Sequence, residues 1–156
     1  MNDSVRFFVS YAHADAKDVE KLREALQPLF IASATHQFSE WTDHLILPGE
    51  KWRAEIDDAL RRCRFGLLLV SPNFLASKFI GEAELPQLLA KRMVVPVELH
   101  RIPLDRTLNL KGLGERQLFR DSKERAFERC RATLDRRDFA LELFKQIIAL
   151  LEKYPC

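Results

Sequence analysis

Glycine is scarce in this chain, five residues in 156, and none of them gathers into a loop that would cradle a phosphate. Kinase-like and GTPase chemistry is therefore disfavoured. Cysteine is scarcer still: Cys63, Cys130 and Cys156 are an odd number at spacings that match no metal motif. They read as reduced thiols in a reducing compartment, and no metal is expected. No apolar run approaches the roughly 18 residues of a membrane span, and no secretory pattern precedes the first strand. Neither sign of charge is in real excess: 25 Lys and Arg face 23 Asp and Glu, a formal net charge of +2. That is too little to argue for nucleic acid or an anionic membrane as a partner. Internal repeats and low-complexity tracts are missing too. The expectation is a soluble, cytoplasmic protein with no direct nucleic-acid or membrane contact.

What is present is an ordinary globular composition, 47% hydrophobic and 31% charged. The length suits a single domain over residues 1–156. Val5 to Ser10 is a continuous apolar run that reads as a strand buried on both faces. Asp15 is placed to cap the next helix, whose Val19, Leu22, Leu26, Leu29 and Phe30 recur at helical spacing. A short second strand is predicted over Gln37 to Thr42, and Asp43 to Gly49 then forms a loop closed by Pro48-Gly49. Trp52, Ile56, Ala59, Leu60 and Cys63 line one side of a second helix. Phe65 to Val70 is the clearest buried strand.

Ser71-Pro72-Asn73 signals a turn or a helix start. A helical stretch runs from about Ser77 to Arg92. Pro86 lies inside it and cannot donate to the carbonyl of Glu82, so a kink or a late helix start is expected. Met93 to Leu99 is another apolar strand, and its Pro96 suits a place where the backbone N–H need not pair. The pattern weakens from Gly112 to Arg137, where a short strand near Gln117 to Phe119 and then a charged helix are expected. Phe139, Leu143, Phe144, Ile147, Leu150 and Leu151 define a final helix. Lys123 to Arg137 alternates in sign and reads as a solvated face.

Strands alternating with helices imply an α/β fold: a mostly parallel sheet with helices on both faces. The favoured architecture is a flavodoxin-like three-layer sandwich with a central five-stranded sheet in the order 2-1-3-4-5. In that order the first and third strands are neighbours, and a crevice opens beyond their carboxyl ends. Ser10 to Asp15 and Ser71 to Ser77 stand at its mouth.

Four segments carry a more specific likeness. FFVSYAHAD (Phe7 to Asp15), DHLILPGEKWRAEIDDAL (Asp43 to Leu60), FGLLLVSPNFLASKF (Phe65 to Phe79) and FIGEAEL (Phe79 to Leu85) occur in this order. Together they resemble the first strand and loop, the BB loop and second helix, the third strand and its exit, and the third helix of bacterial-type TIR (Toll/interleukin-1 receptor) domains. The likeness covers about Val5 to Leu104.

Many TIR domains hydrolyse or cyclise NAD+, releasing nicotinamide. The resemblance implies an NAD+ glycohydrolase or cyclase, a nucleosidase acting on an N-glycosidic bond. Its catalytic glutamate precedes a leucine on the third helix, and this is Glu84, before Leu85. Glu82 is the competitor, but on a helix it points roughly 200° away. The leaving pyridinium departs as neutral nicotinamide and needs no proton, so one carboxylate suffices to stabilise the oxocarbenium-like ribose. NAD+ is then the substrate, and no cofactor is required.

From position in the same crevice, Ser10, Ala12, His13, Asp43, Ser71, Phe74, Ser77 and Ile80 are the candidate substrate-binding residues. The first loop lacks arginine, so phosphate contacts fall to His13, to backbone groups or to another subunit. Ile80 stands where several NAD-cleaving TIR domains carry an aromatic residue, with Phe79 beside it. Isoleucine packs on a flat ring without stacking. His36, His44 and His100 show no catalytic partnership, and Trp41 and Trp52 read as anchors.

The resemblance further implies bacterial anti-phage immunity, activation by self-association with other TIR domains, and the BB loop Asp43 to Gly49 as the contact. The apolar run Leu45-Ile46-Leu47 fits a docking loop. A longer parent with a C-terminal sensor or assembly domain is expected. A second class of function stays open: a non-catalytic TIR adaptor working by TIR–TIR interaction alone.

Overall fold

The computed structural model describes residues 3–41, 52–91, 93–115 and 117–155. Four parallel strands form the sheet: β1 (Asp3–Ser10), β2 (His36–Trp41), β3 (Phe65–Val70) and β4 (Val94–Glu98), in the order β2-β1-β3-β4. The helices are α1 (Ala16–Ala32), α2 (Trp52–Arg62), α3 (Pro72–Ala76), α4 (Leu85–Leu89) and α5 (Thr133–Lys153). The chain is a flavodoxin-like α/β sandwich with helices flanking the sheet.

Side-chain alternation along the strands divides the core in two. Val5, Phe7 and Val9 of β1, Phe65, Leu67 and Leu69 of β3, and Val95 and Val97 of β4 pack with α1 and α5. Val19, Leu22 and Leu26 face them from α1, and Phe139, Leu143, Ile147 and Leu151 from α5. Phe8, Leu68, Val70 and Val94 point the other way, into Ile56, Ala59 and Leu60 of α2, Phe74 and Leu75 of α3, and Leu85 and Leu88 of α4. Because both faces are covered, β3 has no exposed residue and reads in sequence as an unbroken apolar run.

Four features differ from the sequence expectation. First, the fifth strand is reduced to one parallel bridge, Phe119 to Val97. The Phe119 N–H donates to the Pro96 carbonyl (2.7 Å), and the Glu98 N–H donates to the Phe119 carbonyl (3.0 Å). A further rung toward residue 117 needs an N–H at position 96, and proline has none.

Second, among the described residues between Gly112 and Ala132 the expected charged helix does not form, and α5 begins only at Thr133. Short 3-10 turns at Leu113–Glu115 and Phe127–Arg129 stand in that region. Buried Asp121 organises the loop between them, accepting from the Lys123 and Arg125 backbone N–H groups and from Arg125 Nε. Third, the helical stretch expected from Ser77 starts late, at Leu85 next to Pro86, as anticipated, but the break before it is a π turn that the sequence did not signal. Residues Ile80–Glu84 form a π turn, closed by the Leu85 N–H donating to the Ile80 carbonyl, and α4 comes next. Pro86 then lies in the first turn of α4, where its missing donor is harmless. Fourth, Asp15 stands at the N-cap of α1, but its side chain makes no capping bond. The loop Asp43 to Gly49 lies outside the described residues.

Among the described residues, no helix is long and apolar enough to cross a membrane. Cys63 and Cys130 are free and buried.

Candidate functional site

A cleft of about 300 Å³ opens beyond the carboxyl end of β1. It is lined by Phe8, Val9, Tyr11, Ala12, His13, Ile56, Ser77, Phe79, Ile80 and Glu84. Three segments build it. The end of β1 and the loop after it supply Phe8, Val9, Tyr11, Ala12 and His13, and α2 supplies Ile56. The segment between α3 and α4 supplies Ser77, Phe79, Ile80 and Glu84.

Glu84 reaches the cleft because of how this last segment winds. A π turn takes up one residue more than an α turn, which rotates the next residues of the helix by about 100°. Ser77 starts the segment: its Oγ accepts from the Ile80 N–H (3.2 Å), and its carbonyl accepts from the Gly81 N–H (3.1 Å). The far end is seated on β3 at Gly66, where an added Cβ would lie 2.4 Å from Leu88 Cδ2. Glycine lets α4 approach that closely. Gly66 is also paired in register with Phe8 of β1, so this close seating brings Glu84 up to the end of β1.

There Glu84 is 7% exposed, while Glu82 is exposed. Ser10, itself 1% exposed, donates from Oγ to Glu84 Oε2 at 3.4 Å. That is long for an O–H···O bond, so the contact orients the carboxylate more than it anchors it. An acidic group held in a largely apolar and aromatic cleft is an arrangement that strengthens its field on any cation entering.

Part of the lining is aromatic. The Tyr11 and His13 rings stack with centroids 6.0 Å apart and planes 24° apart. Behind Tyr11, the Arg23 guanidinium lies 5.3 Å from the ring centroid. Arg23 also donates through Nε and Nη2 to Glu40 Oε1 on β2, at 2.9 and 2.7 Å. Burial acts to lower the Arg23 pKa, but hydrogen bonding and charge from Glu40 and Tyr11 leave it raised. Phe79 (36% exposed) stands at the rim beside buried Ile80.

Of the residues singled out from sequence, Ser10, Ala12, His13, Ser77, Ile80 and Glu84 are brought together here; all but Ser10 line the cleft, and Ser10 meets Glu84 from beneath. Ser71 and Phe74 are not among the lining residues. Phe74 is packed in the core under α3. Ser71 is fully buried; its Oγ accepts from the Phe74 N–H (3.0 Å) as the cap of α3 and donates to Asp15. Both stand at the mouth of the topology but beneath its surface. Asp43 lies outside the described residues.

The structure adds lining residues that sequence reasoning did not single out: Phe8, Val9, Tyr11, Ile56 and Phe79. Tyr11 was detectable as the one phenol in the loop between Ser10 and Asp15. Ile56 carried no signal beyond helical spacing. Among the described residues, no three His, Cys, Asp or Glu side chains converge as metal ligands.

Comparison with known proteins agrees with this architecture. The sequence model for the TIR domain matches residues 7–131. The chain is also similar to the 2' cyclic ADP-D-ribose synthase BtTIR of Bacteroides thetaiotaomicron, 30% identical over 109 residues, which is 65% of this chain and 35% of that protein. It thus spans about a third of that relative's length. The family match begins inside β1 and extends to the threshold of α5, taking in the end of β1, the other three strands and the whole cleft. The chain belongs to the TIR-domain family.

Proposed function

We propose that this TIR domain cleaves the bond between nicotinamide and ribose in NAD+, with Glu84 as the catalytic carboxylate. The observation that carries the reading is the burial of Glu84 in an aromatic-walled cleft beside Ser10. Similarity to a cyclic ADP-D-ribose synthase supports NAD+ as the substrate.

The chemistry suits one acid. The ribose C1'–N bond breaks, its electron pair passes to the pyridinium nitrogen, and nicotinamide leaves neutral. Positive charge moves onto the ribose. A carboxylate beside it lowers that barrier by preorganised electrostatics and also accepts hydrogen bonds from the ribose hydroxyls. Water as acceptor gives ADP-ribose and a proton, whereas the adenosine part of the same molecule gives a cyclic product. Ser10 keeps Glu84 oriented. Ala12, His13, Ser77 and Ile80 bound the substrate, with Tyr11 and Phe79 as flat walls. Asp43 is retained as a substrate contact from its position in the chain, in the loop expected to close over the nucleotide. Ser71 and Phe74 act from below the surface, as supports of the wall.

The proposal extends to setting. Membership of the TIR family supports activation by self-association through the 43–49 loop, in bacterial anti-phage immunity. Free, buried Cys63 and Cys130 suit a reducing cytoplasm. The test is incubation of concentrated protein with NAD+, products being resolved by chromatography. Nicotinamide should be released with ADP-ribose or a cyclic isomer, at a rate per molecule that rises with protein concentration. NAD+ left intact at every concentration counts against the enzyme and favours an adaptor.

A further inference from the structure

Asp15 is a buried acid that the proposed chemistry does not use. It occupies the N-cap position of α1 without capping the helix, forgoing about 1 kcal/mol that such a cap supplies. Its carboxylate turns instead to the exits of two strands. Ser71, just after β3, donates to Oδ2, and Asn73 Nδ2 donates to Oδ1 at 2.8 Å. His100, just after β4, holds its Nδ1 at 3.6 Å from Oδ1, and its Nε2 lies 2.6 Å from Asp18 Oδ2 on α1. The Asp15 side chain is 1% exposed. A buried carboxylate is costly unless it is paired in this way.

Both anchors are themselves hydrogen-bonded into the fold. Ser71 caps α3, and the Leu99 and His100 backbone N–H groups donate to the Val70 carbonyl at 2.9 and 3.2 Å. From that fixed point Asp15 reaches toward the cleft through its own backbone, its N–H donating to the Ala12 carbonyl at 2.9 Å. This bond closes the His13–Asp15 turn, and Ala12 and His13 line the same cleft as Glu84.

We propose that Asp15 is a positioning residue for the cleft: its carboxylate latches the Ala12–His13 wall to the ends of β3 and β4, and so fixes the gap between that wall and Glu84. Asp15 touches no substrate. Its effect on turnover rests on the NAD+ reading; the latch itself does not.

The experiment compares wild type, Asp15→Ala, Asp15→Asn and Asp18→Ala by two readouts. Amide exchange followed by NMR reports the latch without substrate. The amide of residue 15 should exchange about tenfold faster or more in Asp15→Ala, with β3 unchanged, whereas Asp18→Ala keeps the Ser71 and Asn73 contacts and leaves it as in wild type. Steady-state kinetics with NAD+ reports the consequence. Loss of wall placement removes binding common to ground and transition states, so KM should rise about tenfold while kcat stays within about threefold. Asp15→Asn retains an acceptor for Asn73 and should recover part of the loss in both readouts. It also carries the test if the alanine variant does not fold.

Unchanged exchange at residues 12–15 in both Asp15 variants overturns the latch. Faster exchange with unaltered KM overturns its role in the cleft. If wild type does not cleave NAD+, the NAD+ reading fails instead, and exchange alone decides the latch.

Discussion

Glu84 and Glu82 differ by two positions and by almost everything else. Helical geometry requires them to diverge, but only packing decides which turns inward. Leu88 seated on Gly66 and the π turn at Ile80–Glu84 make it Glu84. A different single residue gives a prediction on stability. Burial pushes the Cys63 thiol from the ordinary 9.0 up to about 11, against the lowering effect of Lys91 and Arg6. Its thiolate is therefore disfavoured in the fold. Stability from this group is complete below about pH 9 and is lost as pH rises toward 11, because the unfolded chain releases its proton first. Urea titrations across that range should show a falling unfolding free energy, and Cys63→Ala should flatten the fall.

Legibility at this scale was uneven. Glu84 and Ile80 were reachable because the family's motif names their positions, and Ser10, Ala12, His13 and Ser77 because the expected strand order sets their segments at one mouth. Ser71 and Phe74 belong to the same segments, yet position along a segment does not encode depth. Nothing in the spacing says that a serine beside a strand end will turn down to Asp15. Likewise His100 shows no neighbour in sequence, since Asp15 and Asp18 meet it only once β1 and β4 are folded into one sheet.

At the level of elements, Gly66 is where α4 is seated on the sheet. An added methyl at 2.4 Å from Leu88 Cδ2 has nowhere to go, because Leu88 is itself wholly buried. Gly66→Ala should cost about 1–3 kcal/mol through overpacking, read as a lower urea midpoint at constant m. It should also lower NAD+ turnover, since α4 backs away with Glu84. The four strands were legible to within a residue or two; β3 was legible to the residue because a doubly covered strand leaves a continuous apolar run, whereas the half-exposed edge strand β2 leaves none. The fifth was not. Its residues have strand composition, but pairing depends on the partner edge, and Pro96 removes a rung there. The missing charged helix has a similar cause. Asp121 folds its loop with side-chain-to-backbone bonds that leave no periodic trace.

Across the whole molecule, the segment after β4 is held to the sheet by an ion pair between a buried carboxylate and a partly exposed arginine. Glu98 is fully buried and takes both Arg120 Nε (2.8 Å) and Nη2 (2.9 Å). Hydrogen bonding to Glu98 is the main influence holding the Arg120 guanidinium above its ordinary range. Arg120→Met removes both of these charged donors and leaves the carboxylate accepting from the Ile102 N–H. The expected loss is at least about 2 kcal/mol in a denaturant titration, while the rate of NAD+ cleavage per folded molecule should hold, because the pair lies outside the cleft.

The most direct measurement is nicotinamide release by concentrated wild-type protein beside Glu82→Gln and Glu84→Gln. Each change keeps size and helix propensity and removes one charge. Release by Glu84→Gln should fall by about 100-fold or more with an unchanged unfolding midpoint, and Glu82→Gln should stay within about twofold of wild type. Release by Glu84→Gln at the wild-type rate, or its loss in Glu82→Gln alone, would contradict the assignment of the chemistry to the buried glutamate.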